Sequence, residues 1–259
     1  MTAPDLTHCW PEDHPHALLI GRIWQPGIGP ILVAATPEGL WDLSRLAPTS
    51  SALLELQDVA ARVRAHLASG EATHLDSAEA VIANSDESAR DGNKPWLLAP
   101  CDLQAVKASG VTFVASMLER VIEEQARGDA SKAEAVRKAV VAVIGDNLRA
   151  VRPGSPEAAQ LKEVLLAQGV WSQYLEVGIG PDAEIFTKAQ PMSAVGHGAW
   201  VGLHPGSQWN NPEPEVVLAA NSRGEVVGAT LGNDVNLRDF EGRSALLLGK
   251  AKDNNASCA

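Results

Sequence analysis

The hydrophobic positions of this chain change their period several times, and each change predicts a different kind of element. Short apolar runs separated by prolines and glycines predict a small sheet near the start, at 17–24, 30–36 and 39–46. From Thr49 or Ser50 to Gly70 the apolar residues recur at helical spacing, which predicts one helix with a polar cap. Together these elements predict a small N-terminal α/β domain.

The rest of the chain combines a helical stretch with a strand-rich one. The residues just before 96 are polar and rich in helix breakers, which predicts a first domain of residues 1–95 and a second of residues 96–259. Helices are predicted at 115–128, 130–144 and 155–169. The last of them begins with Ser155-Pro156, which is typical of a helix start. Strands are predicted from residue 174 onward, so we expect a mixed α+β fold.

A hairpin is predicted within the strand-rich section, because the polar segment 221–224 separates two apolar runs. On the first strand Glu213 and Glu215 are two apart and therefore share a face. With a two-residue loop the paired residue numbers sum to 445, which places Asp234 on that same face. A three-residue loop changes the sum to 446 and places Asp234 on the other face, and the sequence leaves both possibilities open.

Three carboxylates that converge in this way repel one another unless a cation or protons compensate their charge. Oxygen ligands suit Mg²⁺, Mn²⁺ or Ca²⁺ rather than zinc. Mg²⁺ takes few protein carboxylates and leaves its other positions to water or substrate oxygens. The spacing therefore indicates a divalent-metal site, with a solvated acidic strand end as the alternative.

The composition narrows the classes of function that the chain can serve. A formal net charge of −11 disfavours nucleic-acid binding, which usually needs a basic face. The three cysteines lie in no Cys-x-x-Cys pattern, so neither a disulfide framework nor a zinc site is indicated. No apolar run approaches the roughly 18 residues that span a bilayer, and the acidic N-terminus is unlike a secretory signal. We therefore expect a cytoplasmic protein that binds no membrane.

Several blocks of the sequence match one known family. The most specific are Pro212-Glu213-Pro214-Glu215, Gly232-Asn233-Asp234 with Arg238 four residues on, and an Ala-Lys followed by Ala256-Ser257-Cys258. Further similarity covers 19–23, 108–128, 175–188 and 210–259. These blocks resemble the fumarylacetoacetate hydrolase family, and above all its sugar-acid branch, the bacterial 2-keto-3-deoxy-pentonate dehydratases. The resemblance implies that the second domain is a mixed β-sheet roll with a helical excursion.

The resemblance also implies roles for individual residues. Glu213, Glu215 and Asp234 match the family's metal ligands, with Mg²⁺ as the expected ion and Mn²⁺ or Ca²⁺ as alternatives. Anchoring on the downstream small-residue segment matches the family's catalytic lysine to Lys252, with Lys250 as the alternative. The implied substrate-binding residues are Arg238, Lys188, Thr112 and Ser257.

The sequence departs from the hydrolases of this family on the predicted lid helix. Those enzymes activate water with a histidine and a glutamate, whereas here Ser116 stands at the histidine position and Glu119 remains. A serine without a partner is no general base near neutral pH, but a lone glutamate still moves a proton. The difference favours elimination over C–C hydrolysis. The alternative for Glu119 is an acidic helix face shared with Glu123 and Glu124.

The activity implied by the resemblance is the magnesium-dependent dehydration of a 2-keto-3-deoxy-pentonate, of the D-xylonate or D-arabinonate type, to 2,5-dioxopentanoate. In this hypothesis Lys252 either stabilises the charge of an enolate or acts as the base, and Glu119 protonates the departing C4 hydroxyl. A hydrolase of a 2,4-diketo acid is the second hypothesis. The third is a chain that binds metal without turnover, because relatives continue through more strands. A small 2-oxo sugar acid as partner and a homo-oligomer are also expected.

Overall fold

The first part of the chain forms an antiparallel sheet of five strands. The computed structural model describes residues 10–110, 121–122, 124–144, 151–167, 169, 171–252 and 256–258. The strands of this sheet are β1 (Leu19–Gln25), β2 (Gly29–Thr36), β3 (Gly39–Asp42), β4 (Thr73–Asp76) and β5 (Trp96–Leu98). Their order is β4-β3-β2-β1-β5. The predicted small sheet near the start of the chain is confirmed.

Both faces of this sheet are covered by apolar side chains. Successive residues of a strand point to opposite faces, and β2 supplies buried residues to each. One cluster contains Ile23, Ile31, Val33, Leu40, Ala78 and Val81. The other contains Leu32, Ala34, Leu43, Ala47, Leu53 and Val63. The continuous apolar run of β2 therefore reflects burial on both sides.

Three helices accompany the sheet, and the helix predicted from Thr49 to Gly70 is two helices rather than one. They are α1 (Ser50–Leu54), α2 (Val59–Ala68) and, after β4, α3 (Ala78–Ala83). The predicted cap is confirmed, since Thr49 Oγ1 accepts a hydrogen bond of 3.0 Å from the Ala52 amide. The interruption falls at Asp58, which adopts a left-handed conformation with φ of 51°. Aspartate tolerates this conformation better than most residues.

The first sheet continues past residue 95, where the sequence places the domain boundary. Strand β5 pairs with β1, with Trp96 opposite Trp24. The guanidinium of Arg22 then donates to the carbonyl oxygens of Ala99 at 3.1 Å and Cys101 at 2.8 Å. These contacts attach the segment after the polar stretch to the same sheet.

The second part of the chain contains short sheets and helices. Its strands are β6 (Val106–Ser109), β7 (Ile185–Ala189), β8 (Asn210–Asn211), β9 (Pro214–Ala220), β10 (Val226–Asp234), β11 (Asn236–Leu237) and β12 (Ala256–Cys258). The helices whose two ends are described are α4 (Ala130–Ile144), α5 (Pro156–Ala167), α6 (Gln173–Ile179), α7 (Arg238–Glu241) and α8 (Leu248–Lys252), with a 3₁₀ turn at Ala245–Leu247. The sheets are β12-β10-β9, β11-β8 and β6-β7. The mixed α and β composition is as predicted.

The helical excursion agrees with the sequence in its second and third members. Helix α4 has the predicted bounds. Helix α5 starts at Pro156, and the preceding Ser155 caps it, because Ser155 Oγ accepts a hydrogen bond of 3.2 Å from the Ala158 amide. Half of the predicted helix 115–128, namely 115–120 and 123, lies outside the described residues, and 121–122 and 124–126 are helical. Helix α6 falls where strands were predicted, because Leu175 and Ile179 are buried at helical spacing in one cluster. Among the helices of the described residues, no candidate for a membrane-spanning segment is found.

The β9–β10 hairpin has the three-residue loop that the sequence left open. The Asn221 amide donates to the Glu225 carbonyl at 3.0 Å, and the Gly224 amide donates to the Asn221 carbonyl at 3.0 Å. Gly224 has φ of +77°, which glycine adopts without strain. At Ala220 and Val226 the paired residue numbers accordingly sum to 446.

A bulge on β10 then restores the original face. The register shifts between Val226 and Gly228, and from there to the open end of the hairpin the paired numbers sum to 447. Sums of 445 and 447 leave the same residues on a common face, because side chains alternate with a period of two. Of the two loops that the sequence left open, the three-residue loop is present, and the bulge shifts the register once more, so Asp234 lies on the face of Glu213 and Glu215.

The tip of this hairpin is bound to the N-terminal part of the molecule. Glu55, which follows α1, accepts hydrogen bonds from the Ser222 amide at 2.6 Å and the Ser222 hydroxyl at 2.7 Å. The Arg223 guanidinium lies 3.5 Å from the same carboxylate. These contacts connect the N-terminal helices to the strands that carry the three carboxylates.

Candidate functional site

Three carboxylates converge at the open end of the β9–β10 hairpin. Glu213, Glu215 and Asp234 each offer one oxygen, and the three oxygens lie within 4.8 Å of one another. The strand pairing holds them there, since the Asp234 amide donates to the Glu213 carbonyl at 2.9 Å. The Glu213 amide is bound in turn by the side-chain oxygen of Asn233 at 3.0 Å. The predicted convergence is confirmed, and the role of these residues as metal ligands stays a prediction.

Lys252 lies directly against this acidic cluster. It ends α8, is 1% exposed, and its ammonium binds Glu213 Oε2 and, at 3.0 Å, Asp234 Oδ2. Burial acts to lower the pKa of Lys252, but the charges of Glu241, Glu213 and Asp234 outweigh it and raise that pKa. The amine is therefore held as an ammonium ion. Lys250, the alternative, instead places its Nζ 5.6 Å from the ring centre of Phe240.

Lys188 approaches the cluster from the two-stranded β6–β7 sheet. It belongs to β7, is 2% exposed, and donates to the carbonyl oxygens of Val235 at 2.7 Å and of Lys252. Its Nζ lies 3.0 Å from Asp234 Oδ1. Burial lowers the pKa of Lys188, and the neighbouring charge of Asp234 acts in the opposite direction. Asp234 is thus bracketed by two ammonium groups, one at each carboxylate oxygen.

Glu213 is enclosed by a further set of polar residues that the sequence prediction did not include. Asn236 donates to Glu213 Oε1 at 3.1 Å and also to Glu241, which is 3% exposed. Asn211 accepts a hydrogen bond of 2.6 Å from Arg238 Nε. Burial raises the pKa of Glu213, helped by the charges of Glu241 and Asp234 and opposed by Lys252.

A signal for these residues exists in the sequence. Asn236 and Glu241 follow Asp234 directly, within the same block that resembles the metal-binding family. Arg238 lies 3.6 Å from Glu213 Oε1, so it holds a carboxylate of the cluster together with Asn211. Position after a predicted metal ligand identifies such residues as neighbours, but only the structure shows which of them turn inward.

The charges and donor atoms of the cluster suit a hard divalent cation. Four carboxyl groups and three basic side chains meet there, namely Glu213, Glu215, Asp234 and Glu241 with Lys188, Lys252 and Arg238. Fully ionised, four negative and three positive charges leave one negative charge uncompensated. Asp234 Oδ1 is buried and accepts no aligned hydrogen bond, although the Lys188 ammonium is nearby. Oxygen donors with excess negative charge are what Mg²⁺, Mn²⁺ and Ca²⁺ prefer.

Of the remaining predicted site residues, the structure describes only Ser257. Thr112, Ser116 and Glu119 lie outside the described residues. Ser257 is on β12, where its backbone pairs with Asn233, the residue before Asp234. The structure therefore brings Lys252, Lys188 and Arg238 to the three carboxylates.

Comparison with known proteins supports the resemblance seen in the sequence. No family model matches the chain. Over 76 residues it is 40% identical to a 2-dehydro-3-deoxy-D-arabinonate dehydratase of Saccharolobus solfataricus, covering 29% of this chain and 26% of that protein. Over 86 residues it is 40% identical to a probable 2-keto-3-deoxyxylonate dehydratase of Haloferax volcanii, covering 33% of this chain and 29% of that protein.

Solved structures extend the similarity to most of the chain. A structure of 2-keto-3-deoxy-D-arabinonate dehydratase in its apo form matches with a TM-score of 0.52 at 18% identity, covering 93% of this chain and 64% of that one. The same enzyme complexed with magnesium and 2,5-dioxopentanoate matches with a TM-score of 0.53 at the same coverage. The chain shares the fold of these dehydratases. It spans less than two thirds of the length of the proteins that it matches.

The resemblance to the sugar-acid branch is thereby confirmed at two levels. Two named relatives share local sequence identity with about a third of the chain. The solved dehydratase shares the arrangement of strands and helices with nearly all of it. The predicted mixed fold class is confirmed by the same match.

Proposed function

We propose that this chain carries the centre of a magnesium-dependent dehydratase that acts on 2-keto-3-deoxy-pentonates. The observation that carries the proposal is the convergence of Glu213, Glu215 and Asp234, with the buried Lys252 bound to two of them. The named relatives act on substrates of this class, and one solved neighbour contains magnesium and 2,5-dioxopentanoate. The reaction removes a proton from C3 and the hydroxyl from C4 as water. The unsaturated acid that results tautomerises to 2,5-dioxopentanoate.

The three carboxylates are the proposed ligands of the metal. They lie on one face of the hairpin and offer oxygen atoms within 4.8 Å of one another. Bound Mg²⁺ supplies Lewis-acid stabilisation of negative charge on the 2-oxo group of a bound substrate. Mn²⁺ and Ca²⁺ share the preference for oxygen ligands, so either is an alternative occupant.

Lys252 is the proposed catalytic residue of the described part of the chain. The carboxylates around it raise its pKa, which favours the ammonium form and a role in stabilising negative charge next to the metal site. The general-base role requires a lowered pKa and so requires that part of this negative charge be neutralised. The ammonium form is the one that the described geometry supports.

By resemblance, Glu119 is the proposed residue that protonates the departing C4 hydroxyl. Together with Thr112 and Ser257 as substrate contacts, this assignment stays part of the proposal. Arg238 is the proposed anchor of the substrate side of the cluster, because it holds Asn211 and lies 3.6 Å from Glu213. Removing it should loosen the carboxylate cluster as well as any bound acid.

The acidic composition favours a small-molecule partner over nucleic acid. Within the proposal the substrate is a 2-oxo sugar acid, and the protein acts as a cytoplasmic homo-oligomer. Gel filtration with light scattering at several protein concentrations tests the oligomer, and a mass equal to one chain at all concentrations would contradict it.

The assignment is tested by incubating the protein with 2-keto-3-deoxy-D-xylonate and 2-keto-3-deoxy-D-arabinonate, with Mg²⁺ or with EDTA. Formation of an aldehyde that requires the metal, without release of pyruvate, supports dehydration. Pyruvate release would replace dehydration with C–C cleavage. A 2,4-diketo acid serves as the third substrate, and its hydrolysis would favour the hydrolase hypothesis. Metal binding without turnover of any of the three would favour the inactive chain.

A further inference from the structure

Lys188 differs from the other basic residues of the site because two partners of its ammonium group are backbone carbonyl oxygens. It is 2% exposed, and its ammonium group contacts three oxygens. Two are the backbone carbonyls of Val235 and Lys252, and the third is Asp234 Oδ1 at 3.0 Å. By resemblance Lys188 was expected to bind substrate, so these contacts require a different account.

The three contacts of the Lys188 ammonium group are two hydrogen bonds and one ion pair. A lysine ammonium group has three N–H donors and no acceptor. Two of these donors form hydrogen bonds with carbonyl oxygens, and the charge of the ammonium group is paired with Asp234 Oδ1, which accepts no aligned hydrogen bond. A substrate oxygen that replaced either carbonyl would leave a buried oxygen without a partner, which costs about 1–3 kcal/mol.

The three contacts join elements that are far apart in sequence. Val235 follows the proposed ligand Asp234, and Lys252 ends α8 with the proposed catalytic ammonium group. Lys188 itself belongs to β7, which is 47 residues from Val235 and 64 from Lys252 along the chain. One side chain thus fixes the main chain beside the metal ligand relative to the main chain of the catalytic lysine.

We propose that Lys188 is a positioning residue, which holds Asp234 and the backbone of Lys252 in register and makes no contact with substrate. Its effect on catalysis rests on the proposed dehydratase function, whereas its effect on the carboxylate cluster does not. Lys188 and Lys252 contact different oxygens of Asp234, so the two ammonium groups do not compete for one acceptor.

The direction of the change in Mn²⁺ affinity distinguishes a positioning role from a simple effect of charge. Removing a positive charge that lies 3.0 Å from Asp234 Oδ1 would, by electrostatics alone, strengthen the binding of a divalent cation. Loss of a positioning residue should instead weaken binding by about 10-fold to 100-fold, the range for neighbours that orient metal ligands. We therefore expect Lys188→Met to bind Mn²⁺ more weakly than the unmodified chain, as measured by electron paramagnetic resonance.

Lys107 offers a matched control on the neighbouring strand. It belongs to β6, is exposed, and donates to Thr187 Oγ1 at 2.6 Å. Lys107→Met removes the same charge and the same side chain from the same two-stranded sheet, and we expect its Mn²⁺ affinity to be unchanged. Tighter binding of Mn²⁺ by Lys188→Met, or unchanged binding, would overturn the proposal.

The kinetic comparison distinguishes positioning from substrate binding. For Lys188→Met we expect kcat for the keto acid to fall at saturating Mg²⁺ while KM changes by no more than roughly twofold. A large rise in KM with unchanged Mn²⁺ affinity would make Lys188 a substrate ligand and contradict the proposal. If the unmodified chain binds Mn²⁺ but turns over no keto acid, the proposed function fails while the Mn²⁺ comparison still decides the role of Lys188.

A second variant keeps the test available if Lys188→Met does not fold. Lys188→Gln retains an amide donor of shorter reach, and we expect a smaller loss of Mn²⁺ affinity in the same direction. Circular dichroism melting of each variant establishes that the folded protein is being compared. Tighter or unchanged Mn²⁺ binding by folded Lys188→Gln would contradict positioning in the same way.

Discussion

The N-terminal sheet and the β9–β10 hairpin use their faces in opposite ways. Both faces of the N-terminal sheet are covered by apolar clusters, and β2 contributes buried residues to each. The hairpin instead presents carboxylates on one face. Its other face carries exposed apolar side chains, Val216, Leu218, Val226 and Leu231, with 60% to 69% of their surface accessible.

This difference separates what stabilises the molecule from what the site requires. Burial of apolar surface contributes roughly 25 cal/mol per Å², so a sheet covered on both faces is held mainly by its side chains. Charged groups gathered at one end of a hairpin cost desolvation energy, and they are kept in place by specific partners. We therefore expect changes in the N-terminal sheet to alter stability and changes in the carboxylate face to alter metal binding.

The largest effect is expected from Glu215→Gln. The substitution preserves the shape of the side chain but removes the charge that a divalent cation needs. Because residues that merely orient ligands cost 10-fold to 100-fold in affinity, losing a ligand should cost at least about 100-fold. Mn²⁺ binding measures the loss of affinity. Metal-dependent aldehyde formation measures activity, and we expect no turnover at micromolar metal.

Glu225→Gln is the control on the same hairpin. Glu225 lies at the turn, where it is bound by Asn221 and Arg223, far along the strands from the open end. We expect its metal affinity to equal that of the unmodified chain. If Glu215→Gln keeps full activity while folded, the carboxylate cluster is not the metal site.

A large loss of stability with little change in metal binding is expected from Leu53→Ala. Leu53 is fully buried in the second cluster of the N-terminal sheet. Removing such a leucine costs about 2–5 kcal/mol through lost burial and the cavity that remains. Urea unfolding measures this loss. A loss of Mn²⁺ affinity of comparable size in the folded variant would show that the two regions are coupled, through contacts such as that of Glu55 with Ser222.

An intermediate and pH-dependent effect is expected from Asp102→Asn. Asp102 is 3% exposed and accepts hydrogen bonds from the Ser50 amide at 2.8 Å, the Ser51 amide at 3.1 Å and the Ser51 hydroxyl at 2.6 Å. Burial alone would raise the pKa of Asp102, but hydrogen bonds from Ser51, Leu103 and Ser50 outweigh it and lower that pKa. The asparagine variant should lose about 1–3 kcal/mol near pH 7.

The direction of the pKa shift fixes the pH dependence of that loss. A carboxyl group with a lowered pKa in the folded state contributes stability above its ordinary pKa of 3.8, and this contribution disappears as the pH falls through the folded value. The difference in unfolding free energy between the unmodified chain and Asp102→Asn should therefore be constant near neutral pH and shrink below about pH 4. A difference that grows toward acid pH would contradict the assignment.

The sequence predicted the members of the carboxylate cluster better than the path of the chain that assembles them. Spacing of two placed Glu213 and Glu215 on one face, which depends only on the strand period. The position of Asp234 depended on the loop and on the bulge beside Val227, two local irregularities that together shift the register by two and so leave the face unchanged. Neither is set by hydrophobic pattern, so the correct face was predicted from an incorrect register.

For a related reason, contacts between distant elements could not be predicted from the sequence. The ammonium group of Lys188 meets backbone oxygens 47 and 64 residues away, and no local pattern encodes such a distance. Asn236 and Glu241 were missed although they lie in the block that resembles the family, because their inward orientation follows from the turn into α7. Three of the five strands of the N-terminal sheet, β1 to β3, were predicted from short apolar runs between breakers, whereas β4 and β5 were not.

The smallest effect is expected from Leu231→Thr, on the apolar face of the hairpin. Leu231 lies opposite Val216, on the side away from the carboxylates, with 66% of its surface exposed. A side chain that stays in water in both the folded and the unfolded state contributes little to stability, and threonine suits a strand. We expect a change within about 0.5 kcal/mol in urea unfolding and unchanged Mn²⁺ affinity. A loss comparable to that of Leu53→Ala would mean that this face is buried in solution, and the two regions would then be stabilised in the same way.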